Sequence, residues 1–373
     1  MKILVAMDSF KGSLSSLEAG NAVKEGILSV DENTDVVVKT FADGGEGSIE
    51  SVMEDIDGRR IDLKVHNPLG EIIDSYYVIK DGKAFIEMAK CSGLELIPES
   101  KRDPMVTSSF GVGEMIRDAI HRGIRSFVVF IGGSATNDGG CGMLKALGYR
   151  FYDEFNNLIP AGGGKLNRLN YIDESRAMKE LKDCNFIVAS DVKNPLCGEN
   201  GASMVYSIQK GADEKMAFDL DYSLKRLAKE TYDKFGIDYS NKEGAGAAGG
   251  IGFAFMAFLG GKIISGVDAV IEYSDIKKEL EICDVLVTGE GKFDRQSFMG
   301  KAAVSLCAMA KECGVKTVLL CGSVESEDKL ESDFVDGYFS IIHKPMEQEE
   351  LTQRDTAYRN LKNTAKQVFG IML

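Results

Sequence analysis

The sequence predicts an α/β protein of two α/β domains: a Rossmann-like domain with a mainly parallel sheet built from both chain ends, and an inserted mixed α/β domain. Six short apolar runs rich in Val, Ile, Leu or Phe have the length of buried strands. Most lead into helical patterns, which favours parallel βα units. Residues 59–90 instead contain alternating runs joined by turns, as antiparallel strands do. The 373 residues also exceed one ordinary domain of about 150 residues.

The βα pattern is clearest at the start of the chain. After the first apolar run, Ser15 and Glu18 form a capping-box pattern, which predicts that a helix begins there. The six buried runs lie at residues 3–7, 36–40, 127–131, 186–189, 285–288 and 318–321. Apolar spacing predicts further helices at 108–122, 213–235, 299–312 and near 354–369.

The antiparallel segment sets the domain boundaries. Asp81 and Gly82 stand between two strand-like runs and predict a tight hairpin. Because this hairpin interrupts a βα chain, we expect an insertion. Residues 1–65 and 266–373 then form the Rossmann-like domain, residues 66–265 form the second α/β domain, and the active site lies in the cleft between them.

Composition excludes several classes of protein. No apolar run reaches the roughly 18 residues of a membrane span, and the N-terminus lacks an export signal, so we expect a cytoplasmic protein without a membrane partner. The net charge of −14 leaves no basic stripe for nucleic acid. The eight cysteines are scattered and none has histidines at zinc spacing, which indicates free thiols.

Small and acidic residues follow nearly every buried run. Parallel strands present their carboxyl ends at one edge of a sheet, where open α/β sheets bind ligands. The candidate binding residues at these ends are Asp8, Ser9, Lys11, Asp43, Gly44, Gly45, Ser134, Ala135, Thr136, Asn137, Asp138, Gly139, Asp191, Asn194, Gly289, Glu290, Gly291, Lys292 and Asp294. Any one cluster is typical of a turn, but several with paired acids and hydroxyls favour a site.

The residue types at these ends suit phosphate chemistry. Residues 132–140 combine four glycines with hydroxyl, amide and carboxylate side chains, as a phosphate cradle does. A lysine such as Lys11 can place a point charge on a phosphate or carboxylate, although a solvated loop lysine fits equally well. The loop carboxylates suit Mg²⁺ binding or removal of a hydroxyl proton, and each is also a common N-cap.

Two motif checks limit the choice of function. No Gly-Lys pair is followed by Ser or Thr, so the common P-loop is absent. Residues 244–249, GAGAAG, match the dinucleotide pattern, but residues 238–243 before them do not form a buried strand. A glycine-rich helix start packed against a neighbour or a ligand fits better. Two alternatives stay open: an NAD-dependent dehydrogenase of a small hydroxy acid, and a non-catalytic ligand-binding module.

Six segments in series carry a family resemblance. They read MDSFKGS, ADGGEG, GGSATNDGGCGML, SDVKNPLCGENGA, GAGAAGGIGFA and VTGEGKFDRQSFMGKA, and together they resemble the bacterial glycerate kinase family, of the glycerate 2-kinase type. The resemblance implies two α/β domains around a cleft, ATP with Mg²⁺ as phosphoryl donor, and D-glycerate as acceptor, giving 2-phosphoglycerate. At Lys292 the family often has arginine, so the cation is kept. We expect a monomer or a homodimer.

With that resemblance, the candidate residues take provisional roles. Lys11 contacts the transferring phosphoryl group or the carboxylate of glycerate, while residues 132–140 and 289–291 hold nucleotide phosphates. Asp191 and Asp294 are each a candidate metal ligand or catalytic base.

Overall fold

The structure, a computed structural model, describes residues 1–10, 12–42, 47–53, 58–293, 302–324, 333–344 and 347–373. The chain divides into two compact units, each described here by itself. The first comprises Met1–Asp43, Glu50–Ile56 and Val267–Leu373, and the second comprises Gly44–Ile49 and Asp57–Gly266.

The described residues form strands and helices that alternate over much of the chain. The strands are β1 (Lys2–Met7), β2 (Asp35–Thr40), β3 (Arg59–His66), β4 (Ile72–Lys80), β5 (Lys83–Glu87), β6 (Ser126–Phe130), β7 (Arg150–Tyr152), β8 (Tyr171–Asp173), β9 (Asn185–Ala189), β10 (Lys262–Ile264), β11 (Val285–Phe293), β12 (Lys316–Val324) and β13 (Gly337–Ser340). The helices are α1 (Ser16–Leu28), α2 (Ser48–Met53), α3 (Ala89–Ser92), α4 (Phe110–His121), α5 (Cys141–Ala146), α6 (Ala202–Tyr206), α7 (Glu214–Phe235), α8 (Ala247–Leu259), α9 (Gly266–Tyr273), α10 (Ile276–Leu280), α11 (Ala302–Glu312), α12 (Gln348–Leu351) and α13 (Arg354–Met372). Short 3₁₀ turns occupy Leu94–Leu96, Glu99–Lys101, Gly163–Arg168, Lys179–Asp183 and Ile208–Lys210.

The first unit is built on a parallel sheet of five strands in the order β13-β12-β11-β1-β2. The order reverses at β1, because β2 lies on one side of it and β11 on the other. Such a reversal is the topological switch point at which open α/β sheets bind ligands. The predicted Rossmann-like sheet, built from both chain ends, is therefore confirmed.

Helix α1 begins at the predicted capping box. Ser15 is the N-cap, its hydroxyl accepts from the Glu18 N–H, and the Glu18 carboxylate accepts from the Ser15 N–H. One face of α1 packs on α13, where Arg354 donates to Glu18 at 2.7 Å and Lys362 donates to Glu25 at 2.7 Å. The first and last helices of the chain thus close the core of this unit together.

The second unit has a mixed sheet in the order β10-β9-β6-β5-β4-β3, with β3 and β4 antiparallel to their neighbours. The hairpin between β4 and β5 turns at Asp81 and Gly82, whose φ angles of 49° and 72° are the pair of left-handed values that a tight hairpin needs. The core packs α4 and α8 against this sheet, with Phe253 and Phe255 fully buried. The predicted mixed α/β unit is confirmed.

Two predicted boundaries differ from the structure. Residues 59–65 were expected in the first domain, but β3 pairs with β4 along its whole length, so they belong to the second unit. The strand predicted at 285–288 continues as β11 to Phe293, since Lys292 and Phe293 pair with Ser323 and Val324 of β12. The sequence analysis expected residues 289–293 to form a loop, but in the structure they are part of strand β11.

Within the described residues, no helix is both long enough and apolar enough to cross a membrane.

Candidate functional site

In the first unit, the predicted residues Asp8 and Gly289 meet at the switch point of the sheet. Met7, the last residue of β1, pairs with Gly289 of β11, and the Asp8 N–H donates to the Gly289 carbonyl at 3.0 Å. A Cβ on Gly289 would lie 2.0 Å from the Leu320 carbonyl oxygen, so only glycine fits between β1 and β12. The Ser9 N–H donates to the Asp8 carboxylate at 2.7 Å and fixes the orientation of that carboxylate.

Glu290, Gly291 and Lys292 extend beyond the end of β1 on the longer β11. Glu290 is buried and pairs with Cys321, whereas the Lys292 side chain is exposed. Gly322 allows β12 to approach β11 closely here, because a Cβ on Gly322 would lie 2.4 Å from the Gly291 carbonyl oxygen. The sheet thus presents Lys292 to solvent on a paired strand, which is stiffer than the predicted loop.

Several predicted site residues lie outside the described residues: Lys11, Asp43, Gly44, Gly45 and Asp294. Next to Lys11, Phe10 and Leu14 pair with each other, with the Phe10 N–H donating to the Leu14 carbonyl at 2.9 Å.

Ser16 links the ends of β1 and β2. Its hydroxyl donates to the Met7 carbonyl at 2.7 Å and accepts from the Phe41 N–H at 2.9 Å.

In the second unit, four parallel strands end in one row. Glu87 of β5 pairs with Phe130 of β6, Phe130 pairs with Ala189 of β9, and Ala189 pairs with Ile264 of β10. The residues that follow each strand, including 131–134 and Asp191, therefore lie along one edge of the sheet, as the sequence predicts.

Only the first part of the loop at 132–140 is accessible. Gly132, Gly133 and Ser134 are half-buried or exposed, and Gly133 has a φ of +71°. Their three N–H groups find no acceptor within the part of the chain that the structure describes. Consecutive amides of this kind at the carboxyl edge of a sheet form a concavity for an anion.

The rest of the loop supports that accessible part. It is buried, and two of its polar groups are bonded within the unit: the Asn137 amide NH₂ donates to Ser203 at 2.8 Å, and the Ala135 carbonyl accepts from Thr107 at 2.9 Å. Residues 132–134 are thus the part of this loop that is open to solvent, and the ligand contacts of residues 134–139 stay a prediction. The buried residues of the loop are Ala135, Thr136, Asn137, Asp138 and Gly139.

Asp138 has a structural task that the sequence did not reveal. Its carboxylate accepts from the N–H and the hydroxyl of Ser109, before α4, and from the N–H groups of Gly140 and Gly142, where α5 begins. These distances are 2.9–3.0 Å. With both oxygens used in this way, Asp138 joins the starts of two helices.

The glycine-rich first turn of α8 packs against the same loop. Ala248, Gly249 and Gly250 have φ angles of 52°, 66° and 93°, and the Gly139 N–H donates to the Gly249 carbonyl at 2.9 Å. The residues preceding this segment form no strand. Since its glycines serve close packing within the unit, the dinucleotide interpretation of GAGAAG loses its basis, and the predicted close contact with a neighbour is confirmed.

Replacing Gly249 by alanine should lower the free energy of unfolding by about 2–4 kcal/mol. The new Cβ would lie 2.1 Å from the Thr136 carbonyl oxygen, at a φ of +66°. Gly260→Ala is the matched control, because it has a φ of +63° at the end of the same helix with no atom within 4 Å. We expect it to cost about 1 kcal/mol. Equal losses in urea unfolding would show that close approach to residue 136 is unimportant.

Asp191 stands exposed at the end of β9 and is held in place by the next strand. One carboxylate oxygen accepts from the Ser265 hydroxyl at 2.8 Å and from the Gly266 N–H at 2.9 Å. The side chain of Asn194 is used differently: its amide donates to the Asn200 carbonyl at 2.8 Å and its oxygen accepts from Tyr206 at 2.8 Å. Asn194 therefore shapes its own turn, whereas Asp191 is presented at the sheet edge.

Three residues that the sequence analysis missed organise this edge. Buried Glu87 accepts from the N–H groups of Gly47 and Ile49, at 3.3 and 3.2 Å, and so holds the end of the ADGGEGS segment. Ser265 orients Asp191. Lys210 is buried, and its Nζ donates to the Ser134 hydroxyl and to the Thr136 carbonyl, both at 2.8 Å. None has a local sequence signal, because each acts on a residue far away in the chain.

Lys210 should make the stability depend on pH. Burial lowers its pKa from 10.5 to about 7, and the charge of Asp138 opposes this shift. Between these values the unfolded chain keeps a proton that the folded chain has lost, so the free energy of unfolding rises with pH, by at most about 1.4 kcal/mol per pH unit. Below pH 7 this contribution is constant. Urea unfolding at pH 7, 8 and 9 should show the rise in the wild type relative to Lys210→Met. Parallel curves would contradict it.

The cysteines are free, and two of those in the second unit are held as thiols. All eight are free, which confirms the interpretation from their spacing. Burial raises the pKa of the Cys91 and Cys197 thiols to about 12, so both remain protonated at neutral pH.

The residues at the carboxyl edge of the second unit's sheet suit a metal ion that is bound mainly by the phosphates of a ligand. Among the described residues, no three His, Cys, Asp or Glu side chains are placed to hold a metal by themselves. Mg²⁺ usually needs only one or two protein carboxylates and takes its other oxygens from phosphates and water. The exposed and pre-oriented carboxylate of Asp191 suits that demand.

Comparisons with known proteins agree with this geometry. The family model described as the glycerate kinase family matches residues 3–373. The chain is 42% identical over 345 residues to the glycerate 2-kinase of Escherichia coli (strain K12), covering 92% of this chain and 91% of that protein. It is 39% identical over 374 residues to the glycerate kinase of Bacillus cereus, covering 100% and 98%. A crystal structure from Salmonella typhimurium LT2, provisionally described as glycerate kinase 2, superimposes with a TM-score of 0.84 at 38% identity, covering 100% of this chain and 98% of that one.

Proposed function

Since this chain belongs to the glycerate kinase family and is therefore a phosphotransferase, we propose that it transfers the γ-phosphoryl group of ATP to D-glycerate and releases 2-phosphoglycerate. The observation that carries the proposal is the edge of the second sheet. There, the unbonded amides of residues 132–134 lie on the same edge as the pre-oriented carboxylate of Asp191.

Phosphoryl transfer depends on positioning and on neutralising charge, and the residues at this edge can provide both. The N–H groups of Gly132 and Gly133 and the hydroxyl of Ser134 would hold phosphate oxygens. Mg²⁺, when bound, would neutralise negative charge on the phosphate oxygens, with Asp191 as its protein ligand. In the alternative assignment, Asp191 takes the proton from the attacking hydroxyl of glycerate.

The first unit offers groups for the other partner of the reaction. Lys292 is an exposed cation on β11, the strand that lies beside β1 at the switch point of the sheet. Such a cation suits the carboxylate of glycerate or a phosphate of ATP. The roles of Lys11, Asp43 and Asp294 stay predictions, as do the position of the site between the domains, the cytoplasmic location and the oligomeric state.

The test is ATP consumption by the purified protein with Mg²⁺ and a panel of small hydroxy acids, with phosphorus NMR of the product. We expect consumption with D-glycerate and the signal of a phosphate on the 2-oxygen. A product phosphorylated on the 3-oxygen would correct the position alone. No ATP consumption with D-glycerate would refute the proposal.

A further inference from the structure

Lys210 lies directly beneath the accessible part of the loop at 132–134 but does not reach its surface. The residue is 3% exposed, at the end of the 3₁₀ turn Ile208–Lys210, and its two hydrogen bonds go to two residues of one loop, Ser134 and Thr136. The sequence separations of 76 and 74 residues show that this contact is purely tertiary.

The ammonium group of Lys210 is buried among neutral oxygen acceptors. No carboxylate of the described residues forms an ion pair with it, and Asp138 is the charged group whose field favours its protonation. Burying a cation without a direct counterion is costly, so two hydrogen bonds to neutral oxygens are a weak structural reason to keep it. Its effect on Ser134 offers a better one.

The hydrogen bond from Lys210 fixes the orientation of the Ser134 hydroxyl. Because the Ser134 oxygen accepts from Lys210, its lone pair points inward and its own O–H can donate elsewhere. Within the described chain that O–H has no acceptor, and Ser134 is half-buried beside the unbonded amides of Gly132 and Gly133. A hydroxyl that accepts from a cation is also a stronger donor.

We infer that Lys210 is a positioning residue: without touching the ligand, it holds the segment 132–134 and turns the Ser134 hydroxyl outward as a donor to a phosphate group of the nucleotide. The inference rests on the proposed function only in naming a nucleotide phosphate as the anion. In this inference, the buried side chain of Lys210 controls the orientation of the accessible Ser134 side chain.

The test is a double-mutant cycle on ATP binding and turnover with Lys210→Met, Ser134→Ala and the double variant. Each single change should weaken ATP binding and lower kcat/KM by about tenfold or more, the loss of one charge-assisted hydrogen bond. The double variant should be no worse than the poorer single one, because Lys210 acts through Ser134. Additive losses would overturn the inference, and so would near-wild-type binding in either single variant.

Lys145→Met is the matched control. Lys145 is another lysine of this unit whose Nζ donates to two carbonyls, those of Ile159 and Pro160, at 2.9 and 2.8 Å, and burial lowers its pKa too. We expect this variant to bind ATP and turn over like the wild type. An equal loss in Lys145→Met would show that Lys210→Met reports only general damage to the unit.

Binding and turnover together separate the two claims. A wild type that binds ATP but does not phosphorylate D-glycerate would refute the proposed function while the cycle on ATP binding still tests Lys210. A wild type that binds no ATP would overturn both.

If Lys210→Met does not fold, the pH dependence of ATP binding in the wild type and in Ser134→Ala still tests the inference. ATP affinity should fall in the wild type as Lys210 loses its proton above about pH 7, and this extra fall should be absent in Ser134→Ala. Identical pH profiles would contradict the inference.

Discussion

Asp191→Asn should lower kcat with D-glycerate by about two to three orders of magnitude while leaving the fold intact. The asparagine oxygen can still accept from the Ser265 hydroxyl and the Gly266 N–H, so the turn after β9 keeps its hydrogen bonds. The negative charge, which either metal binding or proton removal requires, is lost. Steady-state ATP consumption measures the effect, and thermal unfolding verifies the fold.

Asp238→Asn is the matched control for that experiment. Asp238 also accepts from a serine hydroxyl and a backbone N–H, both of Ser240, at 2.6 and 2.9 Å, but it does not follow a strand of the sheet. We expect wild-type turnover from it. If Asp191→Asn retained more than half of the wild-type kcat, neither proposed role of this carboxylate would stand.

Asp138→Ala should reduce the free energy of unfolding by about 3–5 kcal/mol. The change leaves the buried N–H groups of Ser109, Gly140 and Gly142 without their acceptor, at the starts of α4 and α5. Urea unfolding followed by circular dichroism measures it. Asp138 lies in the same loop as residues 132–134, so losing its hydrogen bonds should loosen that segment. We therefore also expect weaker ATP binding in the folded fraction.

The comparison for that loss is Asp173→Ala. Asp173 accepts from one backbone N–H, that of Ser175, at 2.8 Å, in a turn of the same unit. We expect its removal to cost about 1 kcal/mol. A loss in Asp138→Ala no larger than this would mean that the buried network does not hold the two helices together.

Local patterns in the sequence were sufficient to predict the fold class and the main strands and helices of both units. The run at 3–7 became β1, the capping box at Ser15 began α1, and the Asp81–Gly82 turn joined β4 to β5. In each case the deciding interaction lies within a few residues, so apolar period and turn chemistry record it directly. The extension of β11 to Phe293 escaped prediction because Gly289, Glu290 and Gly291 are typical of loops, and only pairing with β12 makes them a strand.

The sequence by itself determined which strand ends carry the glycines, hydroxyls and carboxylates, and six motifs in series determined the family. The tertiary structure decided how those residues divide between support and contact. Asp138 is hydrogen-bonded to Ser109, which is 29 residues away in the sequence. The bonds between Ser134 and Lys210 and between Asp191 and Gly266 span 76 and 75 residues. A side chain's role follows from which groups it bonds and whether water reaches it, and both are properties of the folded neighbourhood that no local pattern contains.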